Sequence, residues 1–204
     1  MKKLVIFDFD GVLADTIRFC YKIHKDINAS LTWEKFQGFS DGNFIEGIRK
    51  SVEEESYIIP KNFYEFYEKN LYTINIHENL RAVVLRLKNQ YNLSIISSTN
   101  GSYISNFLKK EKALGYFGDI LGSDAHMSKV VKINTLLEKY KIKPKDAVFI
   151  TDTTGDIMEA RKCGVQSITV AWGLHSKDAL LREKPFALVN TPQELEEKIE
   201  EFLK

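Results

Sequence analysis

The sequence predicts an α/β fold: a parallel sheet of five to six strands with crossover helices, interrupted after its first strand by a small all-helical insertion. Three observations predict it. Short β-branched and aliphatic runs alternate with helix-period segments, the pattern of a parallel sheet. The first run, Leu4-Val5-Ile6-Phe7, meets Asp8 and Asp10, then Gly11 and a helix-start signal. After that, roughly eighty residues pass without a convincing strand, far beyond an ordinary βα connection.

Taken in order, strands are expected at Leu4 to Asp8, Leu93 to Ser97, Ile120 to Gly122, Ala147 to Thr151, Ser167 to Val170 and, shorter, Ala187 to Val189. Helices fill the gaps at Asn79 to Tyr91, Ser102 to Lys112, Lys129 to Tyr140, Thr154 to Cys163 and Pro192 to Leu203. Thr191-Pro192 has the form of an N-cap followed by proline at the first helical position. Within the long interval, apolar residues 17, 20, 23 and 27 form a helical stripe over Ile17 to Asn28, with Asp15 or Thr16 as its cap. Phe44, Ile45, Ile48 and Val52 mark a second helix, and Phe63, Phe66, Tyr67 and Leu71 a third, read as core of the insertion. The expected division is therefore a core of residues 1–15 and 78–204 and a helical insertion of residues 16–77, lying over the first strand's carboxylates as a lid.

Composition narrows the class. The 204 residues, 44% hydrophobic and 28% charged, suit a globular protein with a substantial core. The formal net charge of +1 argues against a nucleic-acid or membrane footprint. Cys20 and Cys163 read as small buried hydrophobes in a reducing compartment. Met1-Lys2-Lys3 opens like a signal sequence, but the apolar run that follows spans only about five residues before Asp8. The expected location is the cytoplasm. His24, His77, His126 and His175 are scattered without ligand spacing, which argues against zinc.

The chemistry gathers at strand C-termini, where open α/β sheets bind ligands. Alternation along a strand would put Asp8 and Asp10 on one side and Phe7 and Phe9 on the other. The second strand runs into Ser97-Ser98-Thr99-Asn100-Gly101, a hydroxyl-rich turn into a helix, suited to an anion. Lys129 opens the helix after the third strand, with Lys132 a turn further in. The fourth strand ends in Thr151-Asp152-Thr153-Thr154-Gly155-Asp156. Four aspartates on one lip repel one another and need positive charge to ionise together. Mg²⁺, bound through carboxylates and substrate phosphate, supplies it, and a lysine adds to it. Such a set is suited to phosphoryl transfer.

Asp8-Phe9-Asp10-Gly11-Val12-Leu13-Ala14-Asp15-Thr16, then Ser97, Lys129, and Asp152 with Asp156, resemble the four motifs of the haloacid dehalogenase-like (HAD) hydrolase superfamily. The helical insertion, Ala171-Trp172-Gly173-Leu174 and the C-terminal Pro-Gln-Glu-Leu resemble the phosphoglycolate phosphatase-like branch. The resemblance implies a Rossmann-like α/β core with a helical cap. It also implies a Mg²⁺-dependent phosphatase of a small phosphorylated metabolite, monomeric or homodimeric. On the matching positions Asp8 is the nucleophile that becomes an aspartyl phosphate, and Asp10 the acid and base. Ser97, preferred over Ser98 and Thr99, binds the phosphoryl group, and Lys129, preferred over Lys132, balances its charge. Asp8, Asp152, Asp156 and the backbone carbonyl of Asp10 surround the metal. Thr151 departs from the family's glycine before the fourth-motif aspartate.

A phosphosugar mutase of the same superfamily shares these core residues and differs in the cap. A non-catalytic phosphate- or metal-binding regulator is the alternative from another class. A dehalogenase would lack Asp10, and none of Lys22, Lys25 and Lys35 stands in a context telling of a phosphonatase's Schiff-base lysine. Arg49, Lys50, Asp124 and His126 are expected as surface charges.

Overall fold

A computed structural model describes residues 2–54, 57–77 and 79–204. Met1 of the basic start, and Glu78, where the core was expected to resume, lie outside the described residues. Among the described residues the sheet has six parallel strands: β1 (Leu4–Phe7), β2 (Asn92–Ile96), β3 (Asp119–Leu121), β4 (Ala147–Thr151), β5 (Gln166–Val170) and β6 (Ala187–Val189). Their spatial order is β3-β2-β1-β4-β5-β6. Chain order runs outward from β1 on one side, then restarts beside β1 on the other with β4. The C-terminal ends of β1 and β4 thus flank the point where strand order reverses, which is where such sheets form a ligand crevice.

β1 is an unbroken apolar run because both its faces are covered. Val5 and Phe7 belong to the larger cluster, with Val83, Leu87, Ile104, Phe107, Leu195 and Ile199. Leu4 and Ile6 pack on the other side with Ile133, Leu136 and Ala160. The first of these layers is built by α5 (Leu80–Gln90), α6 (Gly101–Lys110) and α10 (Pro192–Phe202), the second by α7 (Lys129–Tyr140) and α8 (Thr154–Lys162). A short helix, α9 (Lys177–Arg182), links β5 to β6. At the start of α10 the Thr191 hydroxyl accepts from Glu194 N at 3.2 Å, with Pro192 in the first turn, as the sequence indicated.

Between β1 and α5 the described residues form four helices: α1 (Ile17–Ile27), α2 (Trp33–Gly38), α3 (Phe44–Glu53) and α4 (Phe63–Leu71). Their two connections to the sheet run side by side, through an antiparallel bridge between Ala14 and Ile76. Leu31, Phe36, Phe39 and Tyr57 form a core of their own, and Leu174, from the loop after β5, completes it. Three readings change here. The helix α2 was not foreseen. Cys20 and Cys163 are half-buried rather than buried. On α4, Tyr67 is 1% exposed but Phe66 is 51% exposed, because the buried stripe follows residues 63, 67 and 71 and leaves residue 66 on the outer face.

His24 sits inside this helical layer. Its Nδ1 meets the Tyr57 hydroxyl, its ring lies among Phe36, Tyr57 and Phe63, and its Nε2 has no hydrogen-bond partner among the described residues. Burial lowers its pKa to about 4. The unfolded chain therefore binds a proton that the folded one refuses. Stability is fully present above about pH 6.5 and falls as pH drops toward 4, by up to about 3 kcal/mol. In urea titrations at pH 7 and pH 4.5, His24→Gln is expected to lose less stability on acidification than the wild type. An equal loss in both would contradict this.

Candidate active site

The strand geometry ends one residue before the first carboxylate. β1 stops at Phe7, and one further bond, from Asp8 N to Ile150 O at 2.9 Å, carries Asp8 along the lip. The chain then turns tightly, with Gly11 N donating to Ala14 O, and Leu13 N and Ala14 N to Phe9 O. Gly11 has φ +73°, and a Cβ there would overlap the Asp152 carboxylate, so glycine is required on both counts. Because Asp8 and Asp10 stand in this turn and not in a strand, they take separate surroundings. Phe7 and Phe9 enter the same apolar cluster.

Asp8 belongs to a buried ionic cluster. Its Oδ2 accepts from Lys129 Nζ at 2.8 Å, and its Oδ1 from Phe9 N at 2.7 Å. The same ammonium donates to Asp156 Oδ2 at 2.7 Å. The Lys129 and Asp156 side chains are only 6% and 7% exposed. Lys132 lies one turn away, donates to the Ser97 carbonyl at 2.5 Å, and reaches neither carboxylate by an ion pair. Burial, and then the charge of Lys129, lower its pKa to about 8. Of the two lysines, Lys129 is the one beside Asp8. The Thr151 hydroxyl, where the resemblance led to glycine, donates to Asp156 Oδ2 at 2.6 Å. The departure therefore adds a donor to the cluster.

Burial raises the Asp8 carboxyl well above its ordinary range; Lys129 opposes this, while Asp156 and Asp152 raise it further. Burial also pushes Asp156 upward, but Lys129 and bonds from Asp8 and Thr151 hold it below the usual range. One ammonium thus serves two carboxylates, with a third nearby. Asp152 is fully buried; its Oδ2 accepts from Leu174 N at 2.7 Å and its Oδ1 has no hydrogen-bond partner among the described residues. Burial raises its pKa to about 7. The loop after β5 presses so closely that a Cβ on Gly173 would overlap the Asp152 carboxyl.

Among the described residues no group of three or more His, Cys, Asp or Glu side chains is arranged to hold a metal ion. The donor set is nevertheless suited to a hard divalent cation that keeps several waters and takes one or two protein carboxylates. Asp152 offers an unpartnered buried oxygen, and the surplus negative charge around Lys129 calls for another cation before Asp8 can ionise. Asp156 has its bonds to Lys129 and Thr151 instead.

Asp10 takes its hydrogen-bond partners outside this cluster. Its Oδ1 accepts from Thr16 Oγ1 and Tyr67 OH, both at 2.7 Å, and its Oδ2 from Thr99 Oγ1 at 2.8 Å and Ser97 Oγ at 3.3 Å. Asp15 or Thr16 was expected to cap α1; Thr16 stands at the N-cap position, but its hydroxyl makes no capping bond, being used on Asp10. Ser98 is half-buried in the same turn, and the hydroxyls that reach Asp10 there are those of its two neighbours. Tyr67 went unrecognised as a site residue, and Thr99 was considered only in place of Ser97. Tyr67 sits in an aromatic stripe indistinguishable by period from core, and Thr99 shares its turn with two serines. Burial, and next the charge of Asp10, raise the Tyr67 phenol well above its ordinary value, so it stays protonated and donates.

Residues 37–42 dock on this lip. Gly155 N donates to Ser40 O at 3.0 Å, Gln37 Nε2 to Leu174 O at 2.5 Å, and His175 Nε2 lies 3.0 Å from Gln37 O. Thr154 N donates to His175 Nδ1 at 3.0 Å, so Nε2 is the protonated nitrogen that donates to Gln37. A Cβ on Gly155 would overlap the backbone carbonyls of Gly42 and Ser40. Gly155→Ala is expected to push residues 40–42 off the lip at a cost of about 1–3 kcal/mol. The checks are a lowered urea midpoint and faster limited proteolysis within residues 37–42; wild-type values in both would contradict the contact. Elsewhere Arg49 and Lys50 form exposed pairs with Glu53 and Glu54, and Asp124 accepts from Gly101 N at 2.6 Å.

The fold and lip describe a parallel α/β core with an acidic crevice, and the comparisons give the family. Residues 5–170 match the family profile of haloacid dehalogenase-like hydrolases, and the chain belongs to that family. It is similar to a provisionally named pyrophosphatase, PpaX, of Caldanaerobacter subterraneus subsp. tengcongensis, at 25% identity over 89% of this chain and 87% of that one. It also resembles a phosphoglycolate phosphatase of Vibrio cholerae, at 22% identity over 60% of this chain and 57% of the relative. The chain therefore spans little more than half of that second protein. In fold it matches a conserved haloacid dehalogenase-like protein of Agrobacterium tumefaciens with a TM-score of 0.80, at 18% identity and over the whole of both chains. No helix of the described residues is long and apolar enough to cross a membrane.

Proposed function

We propose that this protein is a Mg²⁺-dependent phosphatase that hydrolyses a small phosphorylated metabolite through an aspartyl phosphate on Asp8. The observation that carries the reading is the Asp8 carboxylate on the crevice lip, touching the Lys129 ammonium at 2.8 Å, with Asp10 held separately two residues on. The names of the phosphatase relatives support it.

In this reading an Asp8 oxygen attacks phosphorus, an O–P bond forms, and the ester P–O bond breaks as Asp10 protonates the departing oxygen. Asp10 then takes a proton from water, whose oxygen attacks phosphorus; the Asp8–phosphate bond breaks and inorganic phosphate leaves. Splitting one displacement into two is the general advantage of a covalent nucleophile. Lys129 balances the charge of Asp8 and the phosphoryl group, and Ser97 and Ser98 face the phosphoryl oxygens. Mg²⁺ held by Asp8, Asp152 and the Asp10 carbonyl would neutralise phosphoryl charge, with Asp156 in support through Lys129. Residues 16–77 act as the cap on a core of residues 1–15 and 78–204 that works in the cytoplasm, where Cys20 and Cys163 stay reduced.

The test is phosphate release from a panel of phosphorylated metabolites, with Mg²⁺ and with excess EDTA. Mg²⁺-dependent release supports the reading; no release from any member refutes it. Isomerisation of a hexose phosphate without release would instead indicate a mutase, and Mg²⁺ binding without turnover a regulator.

A further inference from the structure

Tyr67 reaches Asp10 from an unexpected direction. Of the four hydroxyls on that carboxylate, those of Thr16, Ser97 and Thr99 come from the chain leaving the first turn and from the turn after β2. Tyr67 alone among these four stands on α4, inside the helical insertion and 57 residues along the chain from Asp10. Its ring is fixed by Phe19 at 5.5 Å, Phe63 at 5.7 Å and Tyr103 at 6.3 Å. With 1% of the residue exposed, the hydroxyl has no water to retreat to. A phenylalanine would fill this place without a buried polar atom to satisfy, and the neighbouring stripe uses phenylalanine at residues 19 and 63. The hydroxyl is therefore the feature that packing does not explain.

We propose that Tyr67 is a positioning residue that sets the orientation of the Asp10 carboxylate and ties it to the position of α4 over the core. This rests on the acid and base role given to Asp10 in the phosphatase reading. With all four donors in place, both Asp10 oxygens are engaged by protein hydroxyls, and the carboxylate has one orientation. Movement of α4 removes the Tyr67 bond and leaves Oδ1 with Thr16 alone. The helical insertion thereby reports its position to the group that handles the proton, without itself touching Asp8, Lys129 or Asp156 through this residue.

The experiment compares wild type and Tyr67→Phe on two monoesters, p-nitrophenyl phosphate, whose leaving group departs without a proton, and the best alkyl phosphate from the panel, whose leaving group needs one. The expected result is a fall in kcat/KM of about tenfold for the alkyl ester, the order of a hydrogen bond to a charged group, and of less than about twofold for the aryl ester. Equal losses on both, or no loss on either, would overturn the proposal. A silent wild type would instead count against the phosphatase reading, and a second measurement keeps the two apart. Hydrogen exchange of the α4 amides is followed in Tyr67→Phe, Asp10→Ala and the double variant, none of which requires turnover. The coupling predicts that each single change speeds α4 exchange and that the double adds nothing beyond either. Independent, additive effects, or none, would overturn it.

Discussion

Asp8→Asn is expected to lower phosphate release by more than about 10⁴-fold, the scale on which removal of a covalent nucleophile acts, while leaving the fold intact. The structure gives reasons for both halves. The asparagine is isosteric and keeps an oxygen to accept from Phe9 N, now at 2.7 Å from Asp8. It removes one of the two carboxylates sharing the single Lys129 ammonium, so Lys129 and Asp156 remain as a balanced pair. Urea unfolding should therefore show stability unchanged or raised, since Lys129 keeps Asp156 as its buried partner and relief of like-charge repulsion offsets one lost ion pair. Activity lost together with the fold would mean that Asp8 is structural first.

Lys129→Met should fail in the opposite way, in stability as well as turnover. The methionine fills much the same volume but leaves Asp8 and Asp156 as adjacent buried acids without their cation. Breaking a buried pair by removing one partner costs about 3–5 kcal/mol, a large share of the stability of a domain this size. Lys129→Arg is not a conservative rescue. The ammonium sits 2.8 and 2.7 Å from two carboxylate oxygens beside the Phe149 ring, and a planar guanidinium has different reach and fork geometry. Adding Asp8→Asn to Lys129→Met should recover part of the lost stability, because one of the two uncompensated buried acids goes with it; strict additivity would contradict the cluster. Denaturation midpoints of the two single variants and the double decide this.

The sheet was legible because its signals are local. Each strand was an apolar run ended by turn residues, and the structure places every end within a residue of expectation. Helix starts with Thr191-Pro192 or Ser128-Lys129 were equally plain. What the sequence did not disclose depends on contacts across the chain. Thr16 reads as a helix cap from its neighbours, but its hydroxyl is drawn to Asp10. The period of α4 identifies Tyr67 as core, which it is, and cannot show that its oxygen finds a carboxylate. His175 and Gln37, about 140 residues apart in sequence, meet only when the insertion folds back on the core. The motif spacing pointed to Asp8, Lys129, Asp152 and Asp156, and the structure gathers Asp8, Lys129 and Asp156 in one cluster. It could not say that Asp156 would be spoken for by Lys129 and Thr151, since partner choice within four charges is set by side-chain geometry.

The most direct measurement is of the covalent intermediate. The enzyme is mixed with a turned-over phosphomonoester, quenched in acid within a turnover, digested and examined by mass spectrometry for an acid-stable, hydroxylamine-sensitive acyl phosphate. Phosphate is expected on the peptide carrying Asp8, lost in Asp8→Asn and not transferred to Asp10 or Asp152. Phosphate on another residue, or rapid turnover with Asp8 never modified under any quench, would contradict it.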